Sequence, residues 1–211
     1  MTNWEKEKKY FDTVGIDRYD VPDNIINYLK QKPSKLVHNE LIGHIKEEFG
    51  YQNVPDYVQK YFLEKTQSEF MQSHMGEVKV LDTPLPLKLD TLWINYQKKY
   101  EYNPIHEHSG VFSFIVFLQI PYNLEDEDKH FGIKFNNKDV PHNSKLGFLT
   151  NLNGGRIWAK TICVDKSFEN KMLMFPAWYK HYVYPFYTSD DYRITVSGNI
   201  CLRVPQKLDF K

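Results

Sequence analysis

Cysteine is nearly absent from this chain of 211 residues, where only Cys163 and Cys201 occur, with no C-x-x-C spacing. That scarcity excludes a disulfide framework and a thiolate zinc site, and it fits a reduced, cytoplasmic setting. Charge of one sign is lacking as well, since 27 basic residues balance 27 acidic ones. Global charge therefore gives no argument for nucleic-acid binding. No segment approaches the roughly 18 consecutive apolar residues of a membrane span. The first residues, Met1-Thr2-Asn3-Trp4-Glu5-Lys6-Glu7, carry no apolar run of the signal-peptide kind. Internal repeats and low-complexity linkers are also missing.

What is present is apolar and aromatic residue in quantity. Hydrophobic residues make up 41% and aromatics 16%, enough for a packed core. Up to about residue 80 the pattern reads as helical. Segment 23–30 predicts a short helix capped by Asp23. Segment 35–49 places Leu36, Leu41, Ile42, Ile45 and Phe49 at helical spacing before Gly50. A further helical stripe, Val58, Tyr61, Phe62 and Phe70, runs from Val54-Pro55-Asp56 to about His74. His38, His44 and His74 are scattered over these segments and read as ordinary histidines.

From about residue 83 the texture becomes strand-like. Strands are predicted at 92–97, 111–121, 131–135, 146–151, 156–164, 171–175, 181–185 and 192–202. Segment 111–121 is apolar almost throughout, which predicts burial on both faces. Asn153-Gly154-Gly155 is a hairpin signal, and 124–129 reads as a solvated acidic loop. The expected fold is mainly β, an all-β barrel or sandwich over residues 81–211, with a helical annex over 1–80 packed on one sheet.

Chemistry concentrates in three places. His106 and His108 flank Glu107, and on a strand their Cβ atoms would lie about 7 Å apart on one face. His181 follows Phe175-Pro176-Ala177-Trp178-Tyr179-Lys180 and opens the next strand, so it can close a three-ligand metal site. Arg193 opens a strand otherwise rich in Ile194, Val196, Ile200 and Leu202. An arginine in such a strand requires an anion, and a carboxylate held by two parallel bonds suits it. Thr195, Ser197 and Asn199 continue the polar face of that strand. Trp178, Tyr179, Tyr182 and Tyr184 are candidates for either pocket lining or core.

Residues 92–199 carry these signatures together: Trp93-Ile94-Asn95-Tyr96-Gln97, Asn103-Pro104-Ile105-His106-Glu107-His108-Ser109-Gly110, Phe175-Pro176-Ala177-Trp178, His181, and Arg193 to Asn199. In this combination the chain resembles the Fe(II)/2-oxoglutarate-dependent dioxygenases, and most of all the small oxygenases of marine bacteriophages. The resemblance implies a double-stranded β-helix, the jelly-roll or cupin-like barrel. It implies Fe(II), 2-oxoglutarate as cosubstrate and O2. His106 and His181 would be metal ligands, and Arg193 would anchor the keto acid, with Thr195, Ser197, Asn199 and Tyr96 beside it. The reaction implied is oxidation of a C–H bond, typically hydroxylation, with release of succinate and carbon dioxide. For a phage-encoded protein the setting would be the host cytoplasm.

One position departs from the family pattern, which has Asp or Glu two residues after the first histidine. Here it is His108. Three readings stay open: a three-histidine site, a bulge that turns Glu107 inward, or a halogenase-like site with His108 as ligand and Gly110 at the vacant position. A three-histidine cupin dioxygenase without keto acid and a non-catalytic β-barrel binding module are the competing classes. The substrate, a small molecule or a peptide, is not legible, and the annex leaves room for a homodimer contact.

Overall fold

A strand that buries one face alternates apolar and polar residues, whereas one that buries both does not. The computed structural model describes residues 1–37, 42–77, 86–130, 134–135, 138–152 and 156–203. In chain order it forms α1 (Asn3–Lys6), α2 (Lys8–Val14), β1 (Asp17–Asp20), α3 (Asp23–Leu29), β2 (Lys35–Leu36), β3 (Glu47–Gly50), α4 (Asp56–Lys65) and α5 (Glu69–Glu77). Then follow β4 (Leu87–Gln97), β5 (Asn103–His106), β6 (Phe112–Gln119), α6 (Leu124–Lys129), β7 (Lys134–Phe135) and β8 (Lys138–Pro141). The chain continues with β9 (Leu146–Leu152), β10 (Arg156–Ile162), β11 (Lys171–Pro176), β12 (His181–Val183) and β13 (Arg193–Leu202).

Seven strands form the major sheet in the order β1-β11-β6-β13-β4-β3-β2, and four form the minor sheet, β10-β9-β12-β5. All their pairings are antiparallel. The fold is a mainly β double-stranded β-helix. β6 is buried on both faces. Phe112, Phe114, Val116 and Leu118 point toward Ile25, Ile26 and Leu29 of α3, Val58 and Phe62 of α4, and Met71 of α5. Phe62 stacks on Phe114 with ring centroids 4.1 Å apart. Ile115 and Phe117 point the other way, into a core with Leu146, Phe148, Leu173 and Phe175. That aromatic core fills the barrel interior under β6, β11 and β9.

Three expectations need correction. Segment 35–49 is not one helix. Its ends are the strands β2 and β3, and residues 38–41 lie outside the described set. Gly43 sits at φ +147°, and a Cβ there would clash with Asn103 Oδ1, so no helix passes through it. Ile45 and Phe49 have helical spacing, but β3 instead pairs Phe49 with Ile94 and Glu48 with Asn95 on β4. The segment before residue 80 thus gives three strands to the major sheet as well as helices.

The stripe from 56 to 74 breaks into α4 and α5. The Thr66 hydroxyl donates back to the Leu63 carbonyl at 2.7 Å, and Ser68 Oγ accepts from the Met71 amide at 3.2 Å. The acidic loop is the helix α6, whose first turn holds Glu125, Asp126 and Glu127, where negative charge complements the helix dipole. The hairpin tip 153–155 lies outside the described residues, but β9 and β10 pair across it from Leu152 and Arg156 onward.

Glu127 is fully buried. It accepts the amides of Tyr187 (3.0 and 3.1 Å) and Thr188 (2.8 Å) and the Thr188 hydroxyl (2.6 Å). This fixes the loop that delivers the chain into β13. Glu127→Ala should destabilise the protein by about 3 kcal/mol, because charge-assisted bonds vanish and buried amides lose their acceptor. Chemical denaturation would register this as a lower midpoint.

Candidate metal centre

The central strand β13 sorts its residues by parity. Val196 and Ile200 join the core under the helices, while Arg193, Thr195, Ser197 and Asn199 face a cavity of about 400 Å³ between the sheets. β4 is sorted the same way. Leu92 and Ile94 join the helical core, and Trp93, Asn95 and Gln97 line the cavity. Tyr96 therefore turns away from it. Its ring packs on Phe49 and Tyr192 at 6.0 and 5.6 Å. The expected role of Tyr96 beside the cosubstrate is thus corrected by strand alternation.

His106, His108 and His181 converge on the cavity with one ring nitrogen each, all within 4.8 Å of one another. His106 and His181 are cross-strand partners on β5 and β12. His108 is not on the same strand, because β5 ends at His106. It is held instead by its amide, which donates to the Ala177 carbonyl at 2.9 Å, and by its ring, 5.6 Å from Trp93. Among the described residues, His44 and His74 lie elsewhere. His44 stacks on Tyr102, and His74 sits by Trp178 and Tyr179.

The tautomers follow from the partners. His106 Nδ1 lies 2.8 Å from the Pro104 carbonyl and His181 Nδ1 lies 2.9 Å from the Tyr179 carbonyl. A carbonyl only accepts, so both Nδ1 atoms carry the proton and both Nε2 atoms present lone pairs. His108 Nε2 lies 3.2 Å from His181 Nε2. Two nitrogens bound to one transition metal at about 2.0–2.1 Å stand about 2.9–3.4 Å apart, depending on the angle. That pair therefore fits one divalent metal, and His106 belongs to the same cluster.

Burial keeps these imidazoles neutral. It lowers the pKa of His106, brings His108 down to about 4 with help from His106, and holds His181 well below its ordinary value. The other two readings of the His108 region fare less well. Glu107 is half exposed, and its carboxylate pairs with Lys180 at 2.9 Å. Gly110 sits at φ +108°, and a Cβ there would meet the Ile200 carbonyl at 2.8 Å, so its glycine answers a backbone contact and not a vacant coordination site.

Arg193 is 2% exposed. Among the described residues its only side-chain hydrogen bond runs from Nη1 to the Ser144 carbonyl at 3.1 Å, and it pairs with no carboxylate. A buried guanidinium so placed calls for an anion. Thr195 Oγ1 accepts from Asn95 at 3.3 Å, and Asn199 accepts from the Ser113 hydroxyl at 3.1 Å. Sequence reasoning missed Trp93, Asn95, Gln97, Asn103 and Glu48 as cavity residues. The parity of β4 against β13 would have found the first three. Trp178, Tyr179, Tyr182 and Tyr184 do not line this cavity.

Residues 91–199 match the model of the family described as "Putative 2OG-Fe(II) oxygenase". The chain belongs to this family. It is an oxidoreductase, a 2-oxoglutarate- and Fe(II)-dependent oxygenase that uses O2. Among solved structures it is similar to a Pseudomonas putida prolyl-4-hydroxylase, at 10% identity over 93% of this chain and 97% of that one, TM-score 0.49. It is also similar to a 2OG-Fe(II) oxygenase family oxidoreductase from Burkholderia pseudomallei, at 11% identity over 95% and 90%, TM-score 0.49. A third is HygX from Streptomyces hygroscopicus with nickel and 2-oxoglutarate bound, at 10% identity over 96% and 87%, TM-score 0.43. No curated protein matches the sequence. No helix among the described residues is long and apolar enough to cross a membrane.

Glu48 on β3 is 2% exposed and faces the same cavity. Burial, and then Glu101, push its carboxyl from 4.5 up to about 8. A carboxyl with a raised folded pKa costs nothing while both states are protonated, and its penalty grows as pH climbs from the unfolded to the folded value. Glu48→Gln should leave thermal stability nearly unchanged at pH 4.5 and raise it at pH 8.5. Thermal melts of both chains across that range check the difference.

Proposed function

We propose that His106, His108 and His181 hold the iron, and that Arg193 holds the distal carboxylate of 2-oxoglutarate. Thr195 and Ser197 offer hydroxyls to the keto acid, and Asn199 extends the same polar row. The enzyme then hydroxylates a small molecule or a peptide, releasing succinate and carbon dioxide. One observation carries this reading. Two imidazoles locked as Nδ1–H tautomers and a third 3.2 Å away face the same cavity as a buried arginine without a carboxylate partner.

Iron, with the keto acid and oxygen, supplies the oxidising chemistry. The chain supplies position. The Pro104 and Tyr179 carbonyls orient two rings, and low basicity keeps their Nε2 atoms unprotonated at neutral pH. Arg193 turns its planar donor set toward one carboxylate, and Trp93, Ile115 and Leu146 keep the neighbourhood dry. A cupin-type site without keto acid would leave the Arg193 guanidinium buried with no anion, and so would a binding module that takes no anion.

Anaerobic titration with Fe(II) and 2-oxoglutarate should produce the visible metal-to-ligand charge-transfer band. His106→Ala and His181→Ala should abolish it. Arg193→Ala should retain iron and weaken 2-oxoglutarate binding by about 2–5 kcal/mol, the cost of breaking a buried charge-assisted pair. Arg193→Lys should recover only part of that loss, because an ammonium cannot make the two-bond contact. An unchanged keto-acid affinity in Arg193→Ala would remove Arg193 from this role.

A further inference from the structure

The cavity wall on β3 and β4, beside Arg193, is rich in acceptor oxygens. Glu48, Asn95 and Thr195 form one cross-strand row over β3, β4 and β13, and Gln97 is the next inward residue on β4. Part of the donor set of this group is already engaged. The Gln97 amide NH2 donates to the Glu101 carbonyl at 2.6 Å, which fixes its oxygen on the other side of the amide, and the Asn95 NH2 donates to Thr195 Oγ1. Asn95 Oδ1 is buried with no partner, and so is Oδ1 of Asn103, which lines the same cavity from β5.

The Glu48 carboxyl makes no hydrogen bond and no ion pair with any described residue. Its neighbour Glu47 faces away from the row, pairing with Lys32 at 3.4 Å and Lys98 at 3.3 Å. Among the described residues Arg193 is the only lysine or arginine lining the cavity; it donates to the Ser144 carbonyl, and its cross-strand partner on β4 is Gln97. From strand spacings its Cα lies about 12 Å from that of Glu48. A buried carboxyl and unfilled amide oxygens without a facing donor are an uncompensated arrangement. A ligand rich in N–H groups and positive charge would complete it.

We infer that Glu48, Asn95 and Gln97 form a subsite for a cationic nitrogen of the substrate, a primary ammonium or a guanidinium. This rests on the proposed oxygenase reading and narrows its substrate class. The subsite and the anion-binding arginine then serve different partners. Arg193 takes the keto acid, and the acidic wall takes the substrate. Ile42 and Ile45 flank Glu48 and would cover the aliphatic part of such a molecule.

Matched probes test this on the full chain loaded with Fe(II) and 2-oxoglutarate without oxygen. Pentylamine, protonated at pH 7.5, and 1-pentanol differ in the terminal group alone, and ligand-observed NMR gives both affinities. The wild-type chain should bind the amine at least tenfold more tightly than the alcohol. Glu48→Gln should erase that preference while leaving the alcohol affinity unchanged. Equal affinities in the wild-type chain overturn the subsite, as does an amine preference that survives Glu48→Gln. If that variant does not fold, the wild-type comparison still decides. The charge-transfer band, recorded on the same samples, separates the two readings. A band without amine preference overturns the subsite alone, whereas amine preference without a band supports the subsite and overturns the iron and keto-acid assignment.

Discussion

Everything in this protein depends on the two-sidedness of its central strand. β13 lies between β4 and β6 and cannot be moved without unpairing both. One face is apolar and seals the helices to the sheet, while the other carries Arg193, Thr195, Ser197 and Asn199 into the barrel. A one-residue slip would drive a guanidinium into the apolar core and turn Val196 into the cavity. Register is therefore set by the large cost of burying that charge among Phe114, Val116 and Phe62. The same constraint keeps the cavity polar, because its floor belongs to a strand that cannot turn over.

The barrel interior is divided as a result. Under β6, β11 and β9 buried phenylalanines fill it. Under β4 and β13 polar groups keep it open. The histidine trio sits at that boundary, with the His181 ring 5.7 Å from Phe148 and 5.2 Å from Phe175. Those rings account for the lowered basicity of His181. The three imidazoles bring no negative charge to the site.

Much of this was legible in the sequence for a specific reason. His106, His108 and His181 are rare residue types in strand-like surroundings, and Arg193 breaks an apolar pattern, so each stands out. The strands of the barrel were legible because β6 and β13 are dense in β-branched and aromatic residues and β11 is a short apolar run. What was not legible is partner-dependent. Glu48 looks like one charge among 27 acidic ones until β3 pairs with β4. Tyr96 shares a motif with Asn95 and Gln97, and nothing local says which parity faces inward. Ile45 and Phe49 satisfy a helical spacing that Gly43 and the neighbouring strand override. Glu127 reads as one more acid in an exposed run, and only the return of Tyr187 and Thr188 makes it internal.

The carbonyls of Pro104 and Tyr179 orient two of the three imidazoles, and both belong to the main chain. A side-chain orienter, such as an aspartate behind a histidine, can be lost by one nucleotide change. A carbonyl survives every substitution at its own position that leaves the backbone path intact. The centre is thus buffered against genetic drift at its supporting positions. Sequence divergence around 104 and 179 would say little about whether a relative has kept the site, and the histidines themselves would have to be read.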